Sequence, residues 1–206
     1  HSLTDDGRVR CEVCPRHCTL KDGQQGFCFV REARGSDVVL TSYGRSTGYC
    51  VDPIEKKPLN HFYPGTAVLS FGTAGCNLGC KFCQNWDISK NKLDEVKSHK
   101  QLTPEDIVNI TLKNGCPSIA YTYNDPTIWG EWVMDISKEA RISNIKNVMV
   151  TAGYITKEAR DSAQLTMNKL GRGIAIQADS RFLPISSNSI ELFPQYIIFV
   201  ESISPN

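Results

Sequence analysis

The sequence predicts an α/β protein, a parallel sheet or barrel of alternating strands and helices, with a small cysteine-rich module at its N-terminal end. Three observations carry this. Short apolar runs alternate with capped or amphipathic helical segments from about residue 67 to 163. Nine cysteines occur in 206 residues, and most of them fall into two tight groups. The composition, 40% hydrophobic and 22% charged, is that of an ordinary globular domain. The length suits one sizeable domain, or one domain with a small appendage.

Residues 1–35 are polar, rich in cysteine, glycine and arginine, and have no helical period, so they read as a metal-knitted module. Residues 36–65 read as an extended connector. Within it, Asp37 to Gly44 looks like a strand ending in a glycine turn, and 52–65 carries three prolines, the last in a closing Pro64-Gly65. Residues 66–163 read as the α/β core. Ala67 to Phe71 is a buried parallel strand. Thr103 caps a helix with Pro104 at its first position, Glu105 and Asp106 in its first turn, and Gly115 beyond its end. Ser118 to Tyr123 is a second strand. Ile128, Trp132, Ile136 and Ala140 give 127–143 one apolar stripe. Asn147 to Thr151 is a third strand and Thr156 to about Gln164 a third helix. Residues 164–206 change character and read as a divergent tail, with strands at Gly173 to Ala178 and Tyr196 to Val200 and no clear helix between them.

Net charge is +1, from 23 basic and 22 acidic residues, without a long single-sign run. A basic footprint for nucleic acid is missing, so none is expected as a partner. The apolar stretch at Tyr196 to Val200 is far short of the roughly 20 residues of a membrane span, so no membrane is expected either. No charged leader with an apolar stretch precedes Cys11. Nine cysteines in tight CxxC-type groups suit metal ligation in a reducing, cytoplasmic compartment better than disulfides.

The segment Cys76-Asn77-Leu78-Gly79-Cys80-Lys81-Phe82-Cys83 is a C-x3-C-x2-C motif directly after the first core strand. Three thiolates on one short loop can each hold one iron of a cubane [4Fe–4S] cluster, which normally has four cysteines. With three, one iron keeps an open position. The α/β fold places such a loop at the strand ends, where ligands bind. A zinc site is the plainer alternative, with His99 or Cys116 as its fourth ligand.

With its aromatic before the third cysteine, this motif resembles the radical S-adenosylmethionine (SAM) superfamily. The resemblance extends to Tyr121-Thr122-Tyr123-Asn124-Asp125-Pro126-Thr127, to Val150-Thr151-Ala152-Gly153-Tyr154, and to Val51 through Leu59. These are similar to an activating-enzyme-like subfamily of the AmmeMemoRadiSam type, homologous to pyruvate formate-lyase activating enzyme. It implies a partial (βα)6 barrel, here incomplete at the C-terminus, with Cys76, Cys80 and Cys83 holding the cluster. SAM would bind the open iron and be cleaved reductively to a 5′-deoxyadenosyl radical that abstracts hydrogen from a substrate, protein or small molecule. A flavodoxin- or ferredoxin-like electron donor is implied as partner. Asn124 and Asp125 become candidate partners of the SAM ammonium, although the family has Glu at 125; a turn with helix capping is the simpler role. Ala152 stands where the family has Asn. Lys56, Lys57 and His61 read as a solvated connector or as the substrate mouth, and Trp86 as core or as a neighbour of the cluster.

Cys11, Cys14, Cys18 and Cys28 offer four thiolates and form a second candidate site. Zinc is the first expectation and another iron–sulfur centre the second. A non-catalytic, metal-knitted interaction module is the alternative reading of the whole chain.

Overall fold

A computed structural model describes residues 1–57, 59, 61–92 and 101–162, together with the backbone of 174–178. The N-terminal part holds three two-residue strands, β1 (Ser2–Leu3), β2 (Val9–Arg10) and β3 (Thr19–Leu20), paired antiparallel. It is followed by a hairpin of β4 (Arg31–Arg34) and β5 (Asp37–Leu40). Val9, Leu20 and Ala33 form its small core.

The main sheet contains β6 (Tyr49–Pro53), β7 (Ala67–Phe71), β8 (Ser118–Tyr121), β9 (Lys146–Thr151) and β10 (Ile174–Ala178), in the order β10-β9-β8-β7-β6. β7 to β10 run parallel, and β6 pairs antiparallel along the edge of β7. The chain is therefore mixed α/β with an open sheet; among the described residues no sheet closes into a barrel. The expected connector contributes a strand, β6, through its pairing with β7; no apolar-in alternation marks it in the sequence, because the buried residue is Asp52 while Val51 is 50% exposed. The expected strand at 173–178 is present as β10, whereas 196–200 lies outside the described residues.

Between the strands lie α1 (Trp86–Ser89), α2 (Pro104–Lys113) and α3 (Gly130–Ile142), and residues 157–162 are helical. Thr103 and Asp106 form a reciprocal capping box at the start of α2. A 3-10 turn at Pro126–Trp129 precedes α3, and the expected stripe of Ile128, Trp132, Ile136 and Ala140 is fully buried. It packs with Leu69, Phe71, Ile119 and Tyr121 on one face of the sheet. There Phe71 lies 5.7 Å from both Tyr121 and Trp129 and 5.4 Å from Trp132, centroid to centroid. The other face carries Val68, Ala120 and Val148 under Ile54 and Leu59.

The N-terminal module is docked onto this body. Cys28 and Val30 belong to the main core. The buried Arg31 guanidinium makes a bidentate pair with Glu131 at 2.6 and 2.5 Å and donates to the Ile128 carbonyl at 2.8 Å. The Thr156 hydroxyl donates to the Glu12 carbonyl at 2.6 Å.

Candidate functional site

The loop after β7 is held from many sides. At Gly72 a Cβ would run into the Thr122 carbonyl and the Asn124 side chain. Gly75 has φ +77°, and a Cβ there would overlap the Cys28 carbonyl. The chain can therefore pass between β8 and the N-terminal module only as glycine. The Gly75 N–H donates to the Ile88 carbonyl at 2.8 Å, so α1 folds back on the loop. Asn77 donates to the Thr127 hydroxyl at 3.1 Å and the Tyr154 carbonyl at 3.0 Å, and its own carbonyl accepts from Arg16 at 2.5 Å. Lys90 caps the Leu78 carbonyl at 2.7 Å.

This scaffold presents Cys76, Cys80 and Cys83 at the C-terminal end of β7. Cys76 is buried, while Cys80 and Cys83 are half-buried. Burial pushes the Cys76 thiol up to about 11, against the pull of the Asp125 and Leu78 N–H groups that point at its sulfur. The Leu78 N–H lies 3.5 Å from it. Such donors favour sulfur that carries negative charge, as a ligating thiolate does. Beside the two outer cysteines, Phe82 is 66% and Trp86 65% exposed, which removes Trp86 from the core. The donor set and its N–H groups fit a cluster held by three cysteines. The zinc alternative finds no support: among the described residues no three of His, Cys, Asp and Glu converge on a single ion. Cys116 lies buried with its thiol toward the Asn114 carbonyl, and His99 lies outside the described residues.

Asn124 and Asp125 stand at the C-terminal end of β8, directly against this loop. The Asn124 amide donates to the Thr73 hydroxyl at 3.0 Å and the Gly75 carbonyl at 2.7 Å. Its oxygen accepts from Thr73 N–H at 3.3 Å and Trp129 Nε1 at 3.2 Å. All four of its hydrogen-bonding positions are thus used. In this arrangement Asn124 ties the cysteine loop to the end of β8.

Asp125 is the expected cap, accepting from Thr127 N–H at 3.0 Å, and it also ties in β9 through Thr151 Oγ1 at 2.9 Å and Ala152 N–H at 3.0 Å. A backbone N–H at 152 supplies this contact, so the Asn-to-Ala departure there does not disturb it. Burial raises the Asp125 carboxyl above its ordinary value, more than these donors lower it. Among the described residues no cationic side chain pairs with it.

One polar group escaped the sequence reading. The carboxylate of Asp52 is buried and accepts from Lys57 Nζ at 2.8 Å, Lys56 Nζ at 2.9 Å and Tyr123 Oη at 2.9 Å. Lys57 is as buried as Asp52, with side chains 5% and 6% exposed, so it is not part of a solvated connector, whereas Lys56, 65% exposed, does face solvent. Burial alone would raise the Asp52 carboxyl; Lys57, Lys56 and Tyr123 more than offset it and hold it well below the usual carboxylate range. The only sequence signal was the four-residue spacing of Asp52 and Lys56. Tyr123, at φ +72°, passes the restraint on, because its carbonyl accepts from Asn85 Nδ2 at 3.0 Å. His61, also weighed as part of the substrate mouth, is exposed.

The four N-terminal cysteines line one crevice. They do not converge on a point a single ion would occupy, so zinc is not supported there. Among the described residues no helix is long and apolar enough to cross a membrane.

The chain is 47% identical over 154 residues to the uncharacterized protein MJ0808 of Methanocaldococcus jannaschii. That alignment covers 75% of this chain and 46% of the relative, so the chain spans less than half of the relative's length. The family described as the Radical SAM superfamily matches residues 71–174, from the end of β7 into β10, just over half of the chain. With the cysteine loop, its Asn124 anchor and Asp125 all inside that match, the chain belongs to the radical SAM superfamily.

Proposed function

We propose that this chain is an activating-enzyme-like radical SAM enzyme whose core is the first part of a (βα) barrel. The observation that carries the reading is the loop 76–83, with three thiols at the C-terminal end of β7 and the Leu78 N–H 3.5 Å from the buried Cys76 sulfur. Cys76, Cys80 and Cys83 would hold a [4Fe–4S] cluster with one iron open to SAM. When bound, cluster and SAM supply reductive cleavage to a 5′-deoxyadenosyl radical, which abstracts hydrogen from a protein or small-molecule substrate.

The chain's own residues orient these groups. Asn124 fixes the loop by joining Thr73 and Gly75 to the end of β8. Asp125 offers a buried carboxylate that meets only neutral donors among the described residues, and such a group is stabilised by an ammonium beside it. The SAM ammonium fits that need. Asp52 and its partners brace the far side of the loop through Tyr123. Electrons would come from a flavodoxin- or ferredoxin-like donor approaching the exposed rim at Phe82 and Trp86.

Anaerobic reconstitution followed by EPR of the dithionite-reduced protein tests the reading. A [4Fe–4S]⁺ signal that moves on adding SAM is expected. Absence of any signal from the 76–83 site would overturn it and leave a non-catalytic, metal-knitted interaction module as the better account.

A further inference from the structure

The second cysteine group lies outside the matched family segment, yet it is built with the same local chemistry as the first. Cys11 follows β2 and Cys18 precedes β3, and the pairing of these strands brings them together, with the Cys11 N–H donating to the Cys18 carbonyl at 2.9 Å. Cys14 sits in the turn between them. Cys28 arrives from the loop before β4, which is closed by the Gly26 N–H on the Arg31 carbonyl at 2.7 Å. A Cβ at Gly26 would lie 3.6 Å from Cys18 Sγ, so this turn closes directly onto the cysteines. All four line a single crevice, together with Arg31 and Asn77.

The sulfurs there are met by backbone donors. Burial raises the Cys14 and Cys28 thiols, and the backbone N–H groups of Arg16 at Cys14, and of Val30 and Arg31 at Cys28, oppose that rise. A donor two residues beyond the cysteine, as Arg16 to Cys14 and Val30 to Cys28, repeats Leu78 to Cys76. Neutral thiols have little use for such donors, whereas metal-bound thiolates do; hydrogen bonds to sulfur are among the means by which proteins tune iron–sulfur centres. The Arg31 guanidinium is paired with Glu131, and its charge also favours negative charge on the Cys28 sulfur.

Spacing decides which metal centre fits. A zinc ion with Zn–S bonds of about 2.3 Å would draw its sulfurs to within about 4 Å of one another around one point. Among the described residues no three ligands converge in this way. Four thiols arranged around a crevice suit a polynuclear centre, in which each sulfur reaches a different iron. We propose that Cys11, Cys14, Cys18 and Cys28 ligate an iron–sulfur cluster separate from that of the 76–83 loop. Four thiolates leave no iron open, so this cluster would not bind SAM. It adjoins the first loop directly: Asn77, the residue after Cys76, lines its crevice, and Arg16 from its own turn grips the Asn77 carbonyl. The proposal stands independently of the radical SAM reading.

The full chain, purified without oxygen, is reconstituted with ferrous iron and sulfide, and in a parallel arm with zinc alone. Wild type should carry about eight iron and eight sulfide, and the triple variant Cys76→Ser/Cys80→Ser/Cys83→Ser about four of each. The signal of that triple variant should not move on adding SAM. The variant Cys11→Ser/Cys14→Ser should lose half of the iron and sulfide yet keep the SAM-dependent shift. One zinc and no sulfide in the folded triple variant would overturn the proposal, as would full iron content in Cys11→Ser/Cys14→Ser. If the triple variant fails to fold by circular dichroism, the reciprocal variant decides alone. Failure of the radical reading looks different: iron retained in wild type, with a spectrum indifferent to SAM.

Discussion

The two cysteine regions use the same donor atom for opposite ends. At 11–28, Cys11, Cys14 and Cys28 are buried and only Cys18 is half-buried, and the crevice is closed by strands and a turn. At 76–83, one thiol is buried and two are half-buried beside exposed Phe82 and Trp86. A site with its full set of ligands behind a closed wall holds a centre in place, whereas one ligand short and open on one side it can admit a molecule. The difference teaches that cysteine count and cover, more than cysteine identity, separate a structural or electron-carrying site from a reactive one.

Removing the open site is expected to have the largest effect. Cys76→Ser should abolish SAM-dependent cleavage while leaving the iron of the 11–28 site in place; product analysis by chromatography with iron assay checks both. Retained cleavage would break the comparison, because the regions would then be interchangeable.

Gly75→Ala strikes where the two regions touch. The residue must adopt φ +77°, at a cost of about 1–2 kcal/mol for a side chain, and its Cβ would overlap the Cys28 carbonyl, an overpacking worth about 1–3 kcal/mol. A loss near the sum, about 2–5 kcal/mol, is expected in urea unfolding of the metal-free, reduced protein, with iron lost from both regions together.

Asp52→Asn should act on one region only. It leaves the buried Lys57 ammonium without its carboxylate, at about 3 kcal/mol, toward the low end because the amide oxygen still accepts a bond. Through Tyr123 and Asn85 the 76–83 site should bind iron more weakly, and the 11–28 site should not. The pH dependence sharpens this. The folded Asp52 carboxyl is held below its unfolded value of about 4, so its contribution is complete above that pH and disappears as pH falls further. In the wild type, urea midpoints should drop steeply below about pH 4, and in Asp52→Asn that acid limb should flatten.

The smallest effect is expected at Thr103, whose hydrogen bonds are to Asp106 and Ile107 at the start of α2. Thr103→Ala removes the capping box of α2 and should cost about 1 kcal/mol without changing iron content. It calibrates how much iron loss plain destabilisation can cause.

Features that depend on neighbours along the chain are legible in the sequence. The apolar run of β7, the capped start of α2, the stripe Ile128-Trp132-Ile136-Ala140 and the spacing of Cys76, Cys80 and Cys83 are local patterns, readable because strand burial, helix capping, helix period and metal ligation each act over a few residues. Tertiary structure alone decided what depends on distant partners. β6 is a strand because β7 lies beside it. Asp52 and Lys57 are a buried pair because Tyr123, from beyond β8, closes over them. Asn124 is an anchor because Thr73, Gly75 and Trp129 converge on its amide. The four N-terminal cysteines line one crevice because strand pairing and the Arg31–Glu131 contact fold 1–35 against the core. A buried polar group is stable only when its partners arrive together, and the order of residues along a chain does not say which distant groups will arrive.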